Sequence, residues 1–183
     1  MRWLRFLALM ALCAFSGCAT TSPDTYLVQP DGPYRLDTGD IVRLTVYGED
    51  QLSNNFQVDD AGQLSLPLVG SVEVRGLTTR EAASRIGAVL AQGFIRSPDV
   101  AVEVAEYRPF YIQGAVSASG KYVYVYGMTV RAAIATAGGY TDTANRTAAT
   151  IYRKQGDQMA RGRVGLDFLI YPGDTIVIEE RAF

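Results

Sequence analysis

The sequence predicts an α+β protein built as two small lobes. Three observations predict it. Short runs of β-branched residues alternate apolar and polar side chains, the period of a half-buried strand. Two segments with helical spacing each open on a threonine, Thr78 and Thr129, that can cap the first turn. The later part of the chain then reads strand, strand, helix, strand within about fifty residues, the order of a small grasp-like module.

The elements follow in order. Tyr34 to Asp40 ends in a Gly-Asp turn signal, where Asp caps the backbone and Gly admits a left-handed conformation. Ile41 to Tyr47 is a strand, with Val42, Leu44 and Val46 on one face and Arg43 and Thr45 on the other. Gly48-Glu49-Asp50 breaks it. Phe56–Val58 and Gln63–Pro67 read as two short strands around the turn Asp59-Asp60-Ala61-Gly62, and Val69–Val74 as a further strand. Thr78-Thr79-Arg80-Glu81 is a capping box, because Thr78 can accept a backbone N–H while Glu81 reaches back. Ala82, Ile86, Val89 and Leu90 then form one helical face, expected to end near Gly93. Val100–Ala105 is another alternating strand.

The second lobe is expected to start near Pro109. Phe110–Val116 is a strand, Ser117–Gly120 a turn and Lys121–Tyr126 the return strand of a hairpin. Thr129 caps a helix whose apolar positions are Val130, Ala133, Ile134 and Ala137, and Gly138-Gly139 closes it. Ala148–Arg153 is a strand and Gly156-Asp157 a turn. The opening theme then returns: Tyr171-Pro172-Gly173-Asp174, followed by Thr175–Ile178, echoes Asp37-Thr38-Gly39-Asp40 followed by Ile41–Leu44. That echo suggests a last strand closing onto the first lobe.

Composition narrows the function. The chain has 183 residues, 48% hydrophobic and 20% charged, and so has the material for a packed core. It contains no His, which removes Ser-His-Asp and Cys-His catalysis and the commonest transition-metal ligand. With Arg2 and Arg5 assigned to a leader, 15 of the 17 basic residues remain beside 19 acidic ones, a formal charge of −4. The cations are scattered along the sequence, which argues against nucleic-acid binding. Both cysteines, Cys13 and Cys18, lie at the start, so the rest of the chain has no thiol chemistry and no internal crosslink.

The first residues carry a targeting signal. Arg2 and Arg5 precede an apolar run from Phe6 to Phe15 and the small residues Ser16-Gly17, the pattern of a secretory signal peptide. The run is shorter than the roughly 20 residues a spanning helix needs. Phe15-Ser16-Gly17-Cys18 resembles a bacterial lipobox, in which the cysteine is acylated; the alternative is a plain signal peptide cut near Gly17 or Ala19. Acyl chains stabilise membrane attachment by about 0.8 kcal/mol per buried CH₂, so lipidation at Cys18 would anchor the protein firmly. Ala19, not Asp, follows the cysteine, which by resemblance to lipoproteins favours the outer membrane. From Ala19 to about Pro33 the Thr-, Ser- and Pro-rich chain reads as a tether.

Few side chains invite a chemical reading. Tyr122, Tyr124 and Tyr126 alternate and would share one strand face, either as a sugar or subunit contact stripe or as a face packed on the Thr129 helix. Asp40, Asp59, Asp60 and Asp174 could be paired acids for glycoside hydrolysis, but each sits in a Gly-containing turn where Asp caps the backbone. Gly138-Gly139 follows a helix instead of preceding one, so it offers no phosphate cradle. No catalytic, cofactor-binding or metal-binding residue is assigned.

The ordered motifs resemble a known family, the polysaccharide export outer-membrane lipoproteins of Wza type. The first lobe resembles that family's N-terminal export domain through Tyr34–Val42, Val46-Tyr47-Gly48-Glu49, Val58–Gly62, Leu66–Gly70, Gly76-Leu77-Thr78, Glu81-Ala82 and Val100–Val104. The second resembles a soluble-ligand-binding β-grasp (SLBB) domain through Phe110–Val116, Gly120-Lys121-Tyr122, Thr129-Val130, Ala137–Tyr140, Pro172-Gly173-Asp174 and Phe183. The division implied is a lipoprotein signal peptide over 1–17, a tether over 18–33, an export domain over 34–106, an SLBB domain over 109–160, and a strand within 165–183 that closes on the first domain.

The resemblance implies a non-enzymatic, cofactor-free subunit, lipid-anchored on the periplasmic face of the outer membrane. Copies would form a homo-oligomeric ring around a passing capsule or exopolysaccharide chain. An inner-membrane polysaccharide co-polymerase would be the partner at its periplasmic end. Long family members end in an amphipathic helix that crosses the outer membrane; no such segment is read here, so a separate outer-membrane barrel could complete the path. The alternative is a monomeric periplasmic ligand- or glycan-binding module without a transport role.

Overall fold

The computed structural model describes Leu27 and residues 32–156 and 158–181. The leader, Cys18, Asp157 and Phe183 lie outside the described residues. The described chain is mixed α+β in two lobes, as its alternating strands and capped helices require.

In the first lobe, β1 (Ile41–Val46) is the middle of a three-stranded antiparallel sheet between β2 (Asn54–Gln57) and β5 (Val100–Glu106). Val42, Leu44 and Val46 point into the core as their period-two spacing demands. A hairpin of β3 (Gln63–Leu66) and β4 (Gly70–Glu73) adds Leu64, Leu66 and Val72. The segments read as strands around the Asp59–Gly62 turn thus pair with different neighbours, β2 with β1 and β3 with β4. Helix α1 (Thr79–Leu90) covers this core with Ala82, Ile86 and Leu90. Its capping box is complete: Thr78 Oγ1 accepts from the Glu81 N–H and Glu81 Oε2 accepts from the Thr78 N–H. Glu81 is thereby held below the usual carboxylate range, chiefly by the Thr78 backbone donor, then by the Thr78 side chain and Arg35. The helix stops at Leu90, ahead of Gly93.

The second lobe is a five-stranded sheet in the order β7-β6-β10-β8-β9. Its strands are β6 (Phe110–Gly114), β7 (Gly120–Tyr122), β8 (Ala148–Gln155), β9 (Gln158–Gly165) and β10 (Thr175–Ile178). β6 and β10 are parallel and the other pairs antiparallel. Helix α2 (Val130–Thr136), capped by Thr129, packs Val130, Ala133 and Ile134 against Phe110, Ile112, Ile151, Ile176 and Ile178. Gly114 allows the tight approach of β6 to the end of β10: its φ is +93°, and a Cβ there would collide with the Ile178 carbonyl.

Three expectations are corrected. The last strand does not close on the first lobe: β10 is the centre of the second sheet, hydrogen-bonded to β6 on one side and β8 on the other. Ile176 and Ile178 bury completely there, against α2, a burial that the first lobe's already filled sheet does not offer. The echoed Gly-Asp motif reports turn chemistry, not strand pairing. β9 was not expected at all. Its inward residues are Ala160, Gly162 and Val164, and its outward ones include Met159 and two arginines, so no clear apolar alternation announces it. Lastly, β7 ends at Tyr122 instead of running on to Tyr126.

Candidate functional site

The two Gly-Asp turns meet where the lobes join. β5 ends at Glu106 and β6 starts at Phe110, leaving Tyr107-Arg108-Pro109 as the link. Asp40 and Asp174 are both fully buried. Each is held by the same local geometry. Asp40 Oδ2 accepts from the Asp37 N–H at 2.9 Å, and Asp174 Oδ2 accepts from the Tyr171 N–H at 2.7 Å. Each aspartate follows a glycine with positive φ, +92° at Gly39 and +86° at Gly173.

Arg108 lies between these turns. Its main-chain N–H donates to Asp40 Oδ1 at 3.0 Å, and its guanidinium sits 3.3 Å from Asp37 Oδ2 and 3.6 Å from Asp40 Oδ2. From the other side its Nε donates to the Pro172 carbonyl at 3.2 Å, and the Pro109 carbonyl accepts from the Gly173 N–H at 3.0 Å. A Cβ at Gly173 would come within 3.0 Å of Arg108 Nε and push that side chain aside, while the positive φ itself favours glycine. Tyr34, Tyr107 and Tyr124 pack edge to face across the same junction, with centroids 4.9 and 5.4 Å apart. The Tyr34 hydroxyl donates to Asp40 at 2.6 Å; burial pushes its pKa up, with Arg108 opposing and Asp40 reinforcing.

Behind this junction Asp174 pairs bidentately with Arg153, at 2.8 and 2.6 Å. The Arg153 guanidinium also lies 4.6 Å from the Tyr171 ring centre. Every oxygen of both aspartates is therefore engaged. Asp59 is likewise used, accepting from the Gln63 N–H at 2.7 Å. The carboxylates of Asp40, Asp59 and Asp174 brace backbone turns. Among the described residues no cluster of three His, Cys, Asp or Glu side chains could hold a metal ion, and no helix is long and apolar enough to cross a membrane. The best-formed recess, lined by Leu44, Val46, Leu52, Leu66, Pro67 and Leu90, has no room for a water molecule.

The tyrosine stripe divides. Tyr122 is half-buried, stacks on Phe110 and donates its hydroxyl to the Ala118 carbonyl at 2.8 Å. Tyr124 lies in the core, where burial pushes its pKa up to about 12. Tyr126 is 66% exposed beside Val123 and Val125, which are 73% and 61% exposed. They share no strand face, because the strand ends at the first of them. Sequence reasoning also missed Arg108. Its signal was a single cation in a three-residue link between two lobes that each carry a buried Gly-Asp turn.

Residues 22–105 match the model of the polysaccharide biosynthesis/export protein family, and residues 109–162 match that of the SLBB domain. The chain belongs to the polysaccharide biosynthesis/export family. The two matches meet at the Arg108 link. Exopolysaccharide production protein ExoF of Rhizobium meliloti is 34% identical over 137 residues, 73% of this chain and 32% of ExoF. Polysialic acid transport protein KpsD of Escherichia coli is 27% identical over 179 residues, 91% of this chain and 31% of KpsD. The EPS I polysaccharide export outer membrane protein EpsA of Ralstonia nicotianae is 25% identical over 183 residues, 81% of this chain and 48% of EpsA. The chain thus spans about a third of ExoF and KpsD and about half of EpsA. These relatives are named for production, transport and export of polysaccharide, none for a catalysed reaction.

Proposed function

We propose that this chain is a subunit of an assembly that exports polysaccharide through the bacterial envelope. The observation that carries the reading is the consecutive export and SLBB domains, braced into one body by Arg108 between two buried Gly-Asp turns. Buried aspartates that brace turns, Asp40 and Asp174, suit a structural wall better than a reaction site. The relatives' printed roles in production, transport and export support the same direction.

In this reading Cys18 carries an acyl anchor that holds the protein at the periplasmic face of the outer membrane. Copies assemble laterally as a ring whose lumen passes the polymer. The edge strands of the two larger sheets, β2, β5, β7 and β9, offer self-complementary contacts. The exposed trio Val123, Val125 and Tyr126 beside β7 supplies an apolar subunit contact of the kind that a solitary surface rarely displays. An inner-membrane co-polymerase meets the periplasmic end.

Chemical crosslinking of detergent-extracted membranes tests the assembly. The expected product is one discrete high-mass species that Tyr126→Asp dissolves and that Cys18→Ser releases from the membrane fraction. Monomer alone, from an extract in which the protein stays native, contradicts the ring.

A further inference from the structure

The five-stranded sheet has one face on α2, and several side chains of the other face are exposed among the described residues. On the core face lie Phe110, Ile112, Ile151, Ala160, Ile176 and Ile178. Strand register fixes what the opposite face carries. Lys121 pairs with Tyr111, Tyr111 with Thr175, Thr175 with Tyr152, and Tyr152 with Arg161. These five residues form one row across all five strands, about 19 Å long at the usual strand spacing. The next row is Gln113, Val177, Thr150 and Arg163. Lys154 lies on the same face, two residues beyond Tyr152.

The face is basic and aromatic. Lys121, Lys154, Arg161 and Arg163 are exposed, and Tyr111 is 45% exposed. The Arg161 guanidinium sits 5.7 Å from the Tyr152 ring centre. Glu179, just past β10, also reaches this face and accepts from the Thr150 hydroxyl at 3.0 Å. Four cations thus share this face with Glu179, on a chain whose formal net charge is −2. That contrast repels a polyanion from most of the surface and draws it to this sheet. Ring faces of Tyr111 and Tyr152 suit the apolar face of a sugar ring, while arginine forks match carboxylates bidentately.

We propose that this sheet face is the polymer-contacting surface and that the polymer is anionic, with carboxylates on its sugar rings. The assignment rests on the export reading and adds to it the surface and the class of substrate. Sugar units laid along the Lys121–Arg161 row place their ring faces on the tyrosines and their carboxylates by the flanking cations. The contacts are exposed and individually weak, which lets a moving chain pass from one to the next.

Binding of the full chain in detergent to immobilised polygalacturonate, dextran, polyglutamate and single-stranded DNA tests this. Polygalacturonate is expected to bind best, with an affinity that falls as salt rises. Replacing both cations of β9, by Arg161→Ala with Arg163→Ala, is expected to weaken it at least about fivefold, from two exposed ion-pair contacts. Tyr111→Ala is expected to weaken polygalacturonate while leaving the residual polyglutamate signal unchanged. All three residues face outward, and matching thermal unfolding curves confirm intact folds; Lys121→Glu gives an independent charge reversal on another strand. Equal binding of dextran, equal or tighter binding of polyglutamate or DNA, or no response to these substitutions overturns the proposal. Failure of the export reading is seen separately. A deletion strain that loses surface polymer, and regains it with the Arg161 and Arg163 variant, keeps the export role and removes this surface from it.

Discussion

Asp40 and Asp174 do the same local work in two lobes, but their cations differ in what depends on them. Arg153 is almost wholly buried with Asp174, and its loss would strand a buried carboxylate. Arg153→Ala is expected to cost about 3–5 kcal/mol in urea unfolding. Arg108 is only partly buried, and Asp40 keeps the Tyr34 hydroxyl and two main-chain donors without its guanidinium. Arg108→Ala is therefore expected to cost about 1 kcal/mol. An equal loss from both would contradict this division of labour. The tyrosines at the junction add a pH dependence. Tyr124 titrates near 12 when folded, because of its burial, and near 10 when unfolded. Its stabilisation is fully present below pH 10 and is lost as pH rises through about 12. Tyr34 and Tyr107 are shifted in the same direction, again by burial. Tyr124→Phe is expected to flatten the alkaline decline in melting temperature; an unchanged slope would place the titration elsewhere. The turn role of these acids was legible from Gly-Asp spacing alone. Arg108 was not, because its partners lie 68 and 64 residues away in sequence.

At the scale of elements, legibility follows the strength of local signals. The α1 capping box is written in four consecutive residues, and both of its hydrogen bonds form. Thr78→Ala is expected to cost about 1 kcal/mol and to leave the second lobe's unfolding unchanged, read by hydrogen exchange resolved along the chain. Slower exchange loss in α1 than in α2 would contradict it. β1 was equally plain, since its three inward residues are β-branched or Leu and its flanks are turns. β9 was silent because small residues suffice at its inward positions: the described Leu27 packs over Gly162, where a Cβ would come within 2.9 Å of the leucine side chain. β10 was seen as a strand but misplaced. A Gly-Asp turn says how a strand begins; the partner it finds is decided by which core has room for Ile176 and Ile178. The tyrosine alternation failed for a related reason, since period two means one face only while the strand lasts.

At the scale of the molecule, two cores are joined by a three-residue link and braced by side chains from both lobes. The family was legible because the motifs of both domains occur in the right order, even where strand pairing was not. The arginines of β9 lie far from Lys121 in sequence and come to share one face with it only through the pairing of five strands. The central claim, that this body forms part of a polysaccharide exit route, is tested most directly by removing its gene and measuring polymer at the cell surface and within the envelope. The account predicts that surface polymer disappears, that polymer is retained inside, and that the wild-type chain restores export. Surface polymer undiminished in the deletion strain would contradict it.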